Sequence, residues 1–109
     1  MNTAQLECFL AVAENLNFAR AAETLHITQP AVTHQIAALE AELATKLFIR
    51  TTRSVKLTPE GWTFLADARN ILGITYGAKA KLAHHSKEEI RHFGIGVHSA
   101  LELSLLQPV

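Results

Sequence analysis

Three residues separate two helical patterns near the N-terminus, and this short connector restricts the fold more than any other feature of the chain. "FARAAETL", after Asn17, reads as a short helix: asparagine is a good N-cap, and Ala21 and Ala22 are small enough for another helix to approach closely. The pattern ends at Leu25, and His26, Ile27 and Thr28 lead straight into "QPAVTHQIAALEAEL". Thr28 is the natural cap of this next helix. Gln29 and Pro30 take its first turn, where proline is tolerated because those amide hydrogens have no intrahelical acceptor. So brief a connector forces the two helices to cross steeply, as in a helix-turn-helix unit.

The second of these helices separates its faces. Val32, Ile36, Leu39 and Leu43 form one stripe for burial, while Gln29, Pro30, Thr33, His34 and Ala37 lie elsewhere around the cylinder. Upstream, Leu6, Phe9, Leu10, Val12 and Ala13 recur at helical spacing and predict a helix over Thr3 to Glu14. Downstream, the β-prone runs Leu47 to Arg50 and Val55 to Leu57 flank a polar turn, the pattern of a small hairpin or wing. Thr58 and Pro59 repeat the cap-then-proline signal and launch a helix of about 28 residues. Leu65, Ala68, Leu72, Thr75, Ala78 or Lys79, and Leu82 keep close to a 3.5-residue period along it. A seam that long outruns the domain before it and is expected to pair with another chain. "HHSKEEIRH" then interrupts the pattern like a linker, "FGIGV" alternates as a strand does, and "SALELSLLQPV" begins another helix.

Composition narrows the chemistry. At 109 residues and 49% apolar content, the chain is one small domain, or one domain with appendages. Ten basic against ten acidic residues leave no global field, so only local segregation of charge can attract a nucleic acid. Such segregation occurs between Lys46 and Thr58, where Lys46, Arg50, Arg53 and Lys56 meet no acidic residue. Cys8, the single cysteine, excludes an internal disulfide and reads as a small apolar residue packed inside a helix, in a reducing compartment. No basic segment followed by an apolar core opens the chain, and no run approaches the roughly 18 apolar residues of a membrane span, so a cytoplasmic protein without a membrane partner is expected. His26, His34, His84, His85, His92 and His98 form no i, i+4 pair, and no metal or other cofactor is expected. Neither a nucleophile elbow nor a glycine-rich phosphate loop is present, so the expectation is not an enzyme.

A helix whose polar first turn points outward can enter the DNA major groove, where each base pair displays a distinct donor and acceptor pattern. The Gln29 amide both donates and accepts, matching N6 and N7 of adenine. The Thr28 and Thr33 hydroxyls can reach phosphates or bases, and Pro30 and Ala37 add apolar contact. On periodicity alone, Gln29 could equally solvate a helix start. The acid-free hairpin can lie along the sugar-phosphate backbone, with Arg53, nearest the turn, entering the minor groove. An ordinary solvated hairpin competes with that reading, and Arg50 could instead pair with Glu40 or Glu42. A winged-helix module that docks proteins through the same helix is the rival from another class, but a docking face should carry exposed aromatic anchors, and none stands there.

"FARAAETLHITQPAVTHQIAALEAEL" followed by "KLFIRTTRSVKLTPEG" closely resembles the N-terminal region of LysR-type transcriptional regulators, from Leu6 to about Leu82. The resemblance implies a mainly α fold. It places a winged helix-turn-helix DNA-binding domain over residues 1–58, a linker and dimerisation helix over 59–86, and a hinge with the start of an α/β effector-binding domain over 87–109. It implies a sequence-specific regulator that binds a double-stranded operator of two half-sites as a homodimer, through Leu65, Ala68, Leu72 and Leu82. The longer parent would form a tetramer and take a small-molecule effector that this truncated form, lacking most of the sensing domain, would not hold. Ser99, after the expected strand, would cap the next helix, a corner that helps to hold the effector in the family. "FGIGVHSALELSLL" argues against the related oxyanion-dependent regulators. Two positions depart from the family pattern. Ala44 stands where glycine is usual, so the helix is expected to run on slightly or end in a different geometry. His34 replaces an arginine found in many members, so its contact is expected to be weaker or dependent on pH.

Overall fold

Free amides at the start of each of the first three helices find a side-chain acceptor, and each helix ends on a left-handed residue. The computed structural model describes residues 1–91, with side chains as far as His84. Helix α1 spans Thr3–Asn15. Asn2 Oδ1 accepts from the Gln5 amide at 2.8 Å and Gln5 Oε1 accepts from the Asn2 amide at 3.1 Å, a reciprocal capping box. Helix α2, Phe18–Leu25, is capped by Asn17, which accepts from the Arg20 amide at 2.8 Å. Helix α3, Gln29–Leu43, is capped by Thr28, which accepts from Ala31 at 3.2 Å, and Pro30 sits in its first turn.

The three helices close with Leu16, His26 and Ala44 at φ 48°, 59° and 53°. Ala44 corrects one expectation: α3 neither runs on nor changes its ending. The Thr45 amide donates to Glu40 O at 3.1 Å and the Ala44 amide to Ala41 O at 3.2 Å, so the terminal carbonyls are satisfied as glycine would have them satisfied. The cost is an alanine held left-handed, about 1–2 kcal/mol of steric strain.

Each of the three helices touches the other two. Ala21 and Ala22 are buried where α2 approaches, and Val32, Ile36 and Leu39 form the buried stripe of α3. Cys8 is buried as well; desolvation, then the charge of Glu7, pushes its thiol above the ordinary range. Phe9, wholly buried, packs its ring against Phe48 at 5.4 Å and Phe64 at 5.1 Å between centroids, and Phe48 and Phe18 meet in a T-shaped pair at 6.0 Å. That aromatic row ties α1 and α2 to the later part of the chain.

Strands β1, Phe48–Arg50, and β2, Val55–Leu57, pair antiparallel, with Phe48 opposite Leu57, Ile49 opposite Lys56 and Arg50 opposite Val55. The hairpin is fastened at both ends. At its base, Glu40 Oε2 accepts from the Leu47 amide at 2.7 Å and the Phe48 amide at 3.2 Å. At its tip, Thr51 Oγ1 accepts from the Arg53 and Ser54 amides at 3.2 and 3.0 Å. Thr58 then joins wing to helix: its hydroxyl donates to Lys46 O at 2.7 Å and accepts from the Gly61 amide at 2.9 Å.

Helix α4 spans Pro59–Arg91, longer than the sequence pattern suggested. Met1 to Gly73 forms one compact unit. Within it, Ala68 at 0% and Leu72 at 6% exposure belong to the core, and Leu65 is half-buried against it. The seam expected to meet a second chain is therefore, at Leu65, Ala68 and Leu72, covered by the same chain: the aromatic row gives α4 a surface to bury against that helical periodicity could not reveal. From Ile74 onward the helix exposes Ile74 at 72% and Leu82 at 70%, with Tyr76 also exposed. The expected strand over 93–97, Ser99 and the helix after it lie outside the described residues, as does the side chain of His85.

Candidate nucleic-acid interface

The cap at Thr28 decides what the first turn of α3 can present. Because its hydroxyl oxygen accepts from Ala31, the side chain is held at the helix start, with its hydrogen still available to donate. Gln29, Pro30, His34 and Ala37 are exposed and Thr33 is half-buried, so the first turns of α3 keep an accessible surface beside the buried Val32, Ile36 and Leu39 stripe.

Strand alternation distributes the four cations of the wing, and they do not form one patch. Ile49 and Lys56 share a face and are both exposed, whereas Phe48, Arg50, Val55 and Leu57 share the face that packs on the domain. Lys46 lies 3.7 Å from Glu40. Arg50 turns back to the protein, its guanidinium carbon 3.9 Å from the Phe18 ring centroid. Arg53 sits exposed in the turn. The alternative pairing of Arg50 with Glu40 or Glu42 is corrected by the same geometry: Glu40 serves the Leu47 and Phe48 amides and Lys46, and Glu42 pairs with the N-terminal ammonium.

Gln29, Arg50 and Arg53 line a common cleft of about 220 Å³, together with Asn17, Phe18 and the Thr51–Ser54 turn. Both charged residues that line it are arginines. A larger open groove, about 390 Å³ between the end of α3 and the start of α4, includes Glu60 and Asp67 in its lining, the wrong sign for a phosphate. Of the residues singled out from sequence, the cleft gathers Gln29, Arg50 and Arg53. Thr28, Pro30, Thr33 and His34 lie along α3 outside it, and Lys56 is on the other face of the wing. Phe18 was not anticipated, and Glu40 was expected only as an alternative partner of Arg50. The signal for Phe18 was the strand alternation that puts Arg50 on the same side as apolar Phe48; nothing in the sequence pointed the Glu40 carboxylate at two amides. Among the described residues no group of His, Cys, Asp or Glu side chains could hold a metal ion, and no helix is long and apolar enough to cross a membrane.

Comparison with known proteins assigns this architecture. The chain is 45% identical to the HTH-type transcriptional regulator ClcR of Pseudomonas putida over 98% of its length, covering 38% of that protein. It is 41% identical over its whole length to the Hca operon transcriptional activator HcaR of Escherichia coli strain K12, covering 36%. It thus spans little more than a third of these relatives. Among solved structures, the CbnR_DBD–DNA complex superposes with a TM-score of 0.75 at 42% identity, over 79% of this chain and 99% of that one. The family model for bacterial regulatory helix-turn-helix proteins, lysR family, matches residues 3–62. The chain belongs to the LysR family of bacterial regulatory helix-turn-helix proteins.

Proposed function

We propose that this chain is the DNA-binding part of a transcriptional regulator, with the first turn of α3 in the major groove and the wing along the backbone. One observation carries the reading: Gln29, a side chain able to read a base edge, lines the same cleft as Arg50 and Arg53, so base-reading and phosphate-binding chemistry lie side by side. The DNA complex of the similar CbnR domain supports it. Thr28, Pro30, Thr33 and His34 extend the reading face along α3, and Lys56 adds charge on the far side of the wing.

Two half-sites and a homodimer complete the proposal. Exposed Ile74 and Leu82, eight residues apart on the same side of α4, supply the pairing surface, since large apolar side chains so exposed gain most from a second chain. For a longer protein carrying this segment, the reading extends to a tetramer and to a small-molecule effector. The test begins with selection of sites from random duplexes. Gln29→Ala should then cost roughly 1–3 kcal/mol on the selected site and much less on scrambled DNA. Arg53→Ala should weaken both and lower the salt slope by about one ion. Equal losses for Gln29→Ala on both duplexes, with an unchanged slope for Arg53→Ala, would remove α3 and the wing from these roles. Sedimentation of Ile74→Glu/Leu82→Glu checks the dimer: monomers are expected, and an unchanged mass refutes pairing through α4.

A further inference from the structure

We propose that Arg50 is a fixed phosphate anchor and that Phe18 is its positioning residue, an inference that rests on the DNA-binding reading above. Arg50 differs in kind from the other wing cations. Strand register places it on the face shared with buried Phe48, so its side chain, although solvent-exposed, lies back over the domain. There its guanidinium carbon meets the Phe18 ring at 3.9 Å from the centroid.

The ring beneath it is itself immobilised. Phe18 is only 4% exposed, the first residue of α2 behind the Asn17 cap, and its ring meets Phe48 at 6.0 Å and 71°. Phe48 rests in turn on Phe9. A long arginine side chain on a wing would ordinarily sample many rotamers and lose that freedom on binding; one held against a core aromatic has surrendered part of it beforehand.

The charge is held but not neutralised. Glu40 is committed to the Leu47 and Phe48 amides and Glu42 to the N-terminus, and among the described residues no carboxylate pairs with Arg50. Contact with a ring face leaves the planar fork's N–H donors for an acceptor from outside, and a phosphate accepts two of them at once. The cleft that holds Arg50 also holds Gln29, so a phosphate gripped there fixes how far the first turn of α3 enters the groove. Lysine could supply the charge but not the planar fork.

The test uses the 109-residue chain, a duplex selected from random sequence, and affinity at several salt concentrations. Arg50→Ala should lower the salt slope by about one ion. Phe18→Leu keeps the charge and so the slope, yet should weaken binding about two- to fivefold, the worth of an exposed cation–π contact. In the Arg50→Ala background Phe18→Leu should cost nothing further, whereas a purely structural role for Phe18 predicts the same loss in both backgrounds. Without DNA, the Arg50 side-chain protons should show an upfield ring-current shift by NMR that Phe18→Leu abolishes and Phe18→Tyr retains. Should Phe18→Leu fail to fold, Arg50→Lys serves in its place, with slope preserved and affinity down by a similar factor. Additive losses, an unchanged slope for Arg50→Ala, or no ring-current shift overturns the inference while leaving the DNA reading intact. A chain that binds no selected duplex refutes that reading itself, and this inference with it.

Discussion

Replacing glycine by alanine at Gly61 and at Gly73 should have opposite effects, although both residues lie in α4. A Cβ on Gly61 would stand 2.3 Å from the Leu47 carbonyl oxygen and 2.8 Å from Leu57 Cδ2. The first neighbour is backbone and cannot swing aside, so helix and wing must separate by most of an ångström. That movement acts on the bonds that join them, Thr58 N–H to Leu47 O at 3.0 Å and Thr58 Oγ1 to Lys46 O at 2.7 Å. Overpacking costs about 1–3 kcal/mol, and each weakened bond up to about 1 kcal/mol more. Alanine's helix preference returns at most about 1 kcal/mol, leaving a net loss of up to about 4 kcal/mol. At Gly73 an added Cβ meets nothing within 4 Å, so only the helix preference operates and about 1 kcal/mol is gained. Urea titration by far-ultraviolet circular dichroism at one fixed protein concentration reads both as shifts in midpoint at constant slope. If Gly61→Ala matches the parent, or both variants shift the same way, close helix-wing contact is not what Gly61 provides.

Glu40→Ala leaves the Leu47 and Phe48 amides without their carboxylate acceptor and should cost about 2–4 kcal/mol; denaturant titration measures it, and a loss below about 0.5 kcal/mol would show that water replaces the carboxylate at no penalty. Ala44→Gly relieves the left-handed strain at φ 53° and should stabilise by about 1 kcal/mol after the extra freedom of the unfolded glycine is counted, so a destabilised variant in the same assay contradicts the assignment. Cys8 should alkylate far more slowly in the folded chain than in urea at the same pH, because burial both shields the thiol and holds it protonated. Since its folded pKa is raised, the unfolded thiol ionises first as pH climbs, so its contribution to stability is intact below the ordinary thiol range and lost above it. A Cys8→Ala chain with the same alkaline slope as the parent would assign that loss to other groups.

Features set by neighbours a few residues away were legible in the sequence. Asn17 and Thr28 cap because a side-chain oxygen reaches an amide three residues on, Pro30 falls where no amide is needed, and Val32, Ile36 and Leu39 share a face by helical geometry alone. The two short strands and the cap-then-proline start of α4 were legible for the same reason. What only tertiary structure decided is which surface each pattern meets. Periodicity marked Leu65, Ala68 and Leu72 as apolar but could not say that the cover is intramolecular, because that depends on Phe9 and Phe64 packing together from elements far apart in the chain. Composition marked four wing cations as one acid-free run, while pairing register and packing dispersed them: Lys46 to Glu40, Arg50 to Phe18, Arg53 to the turn and Lys56 to the opposite face. Local sequence determines direction and propensity within a few residues; contacts between distant residues exist only once helices and wing have packed, and Arg50 on Phe18 is such a contact.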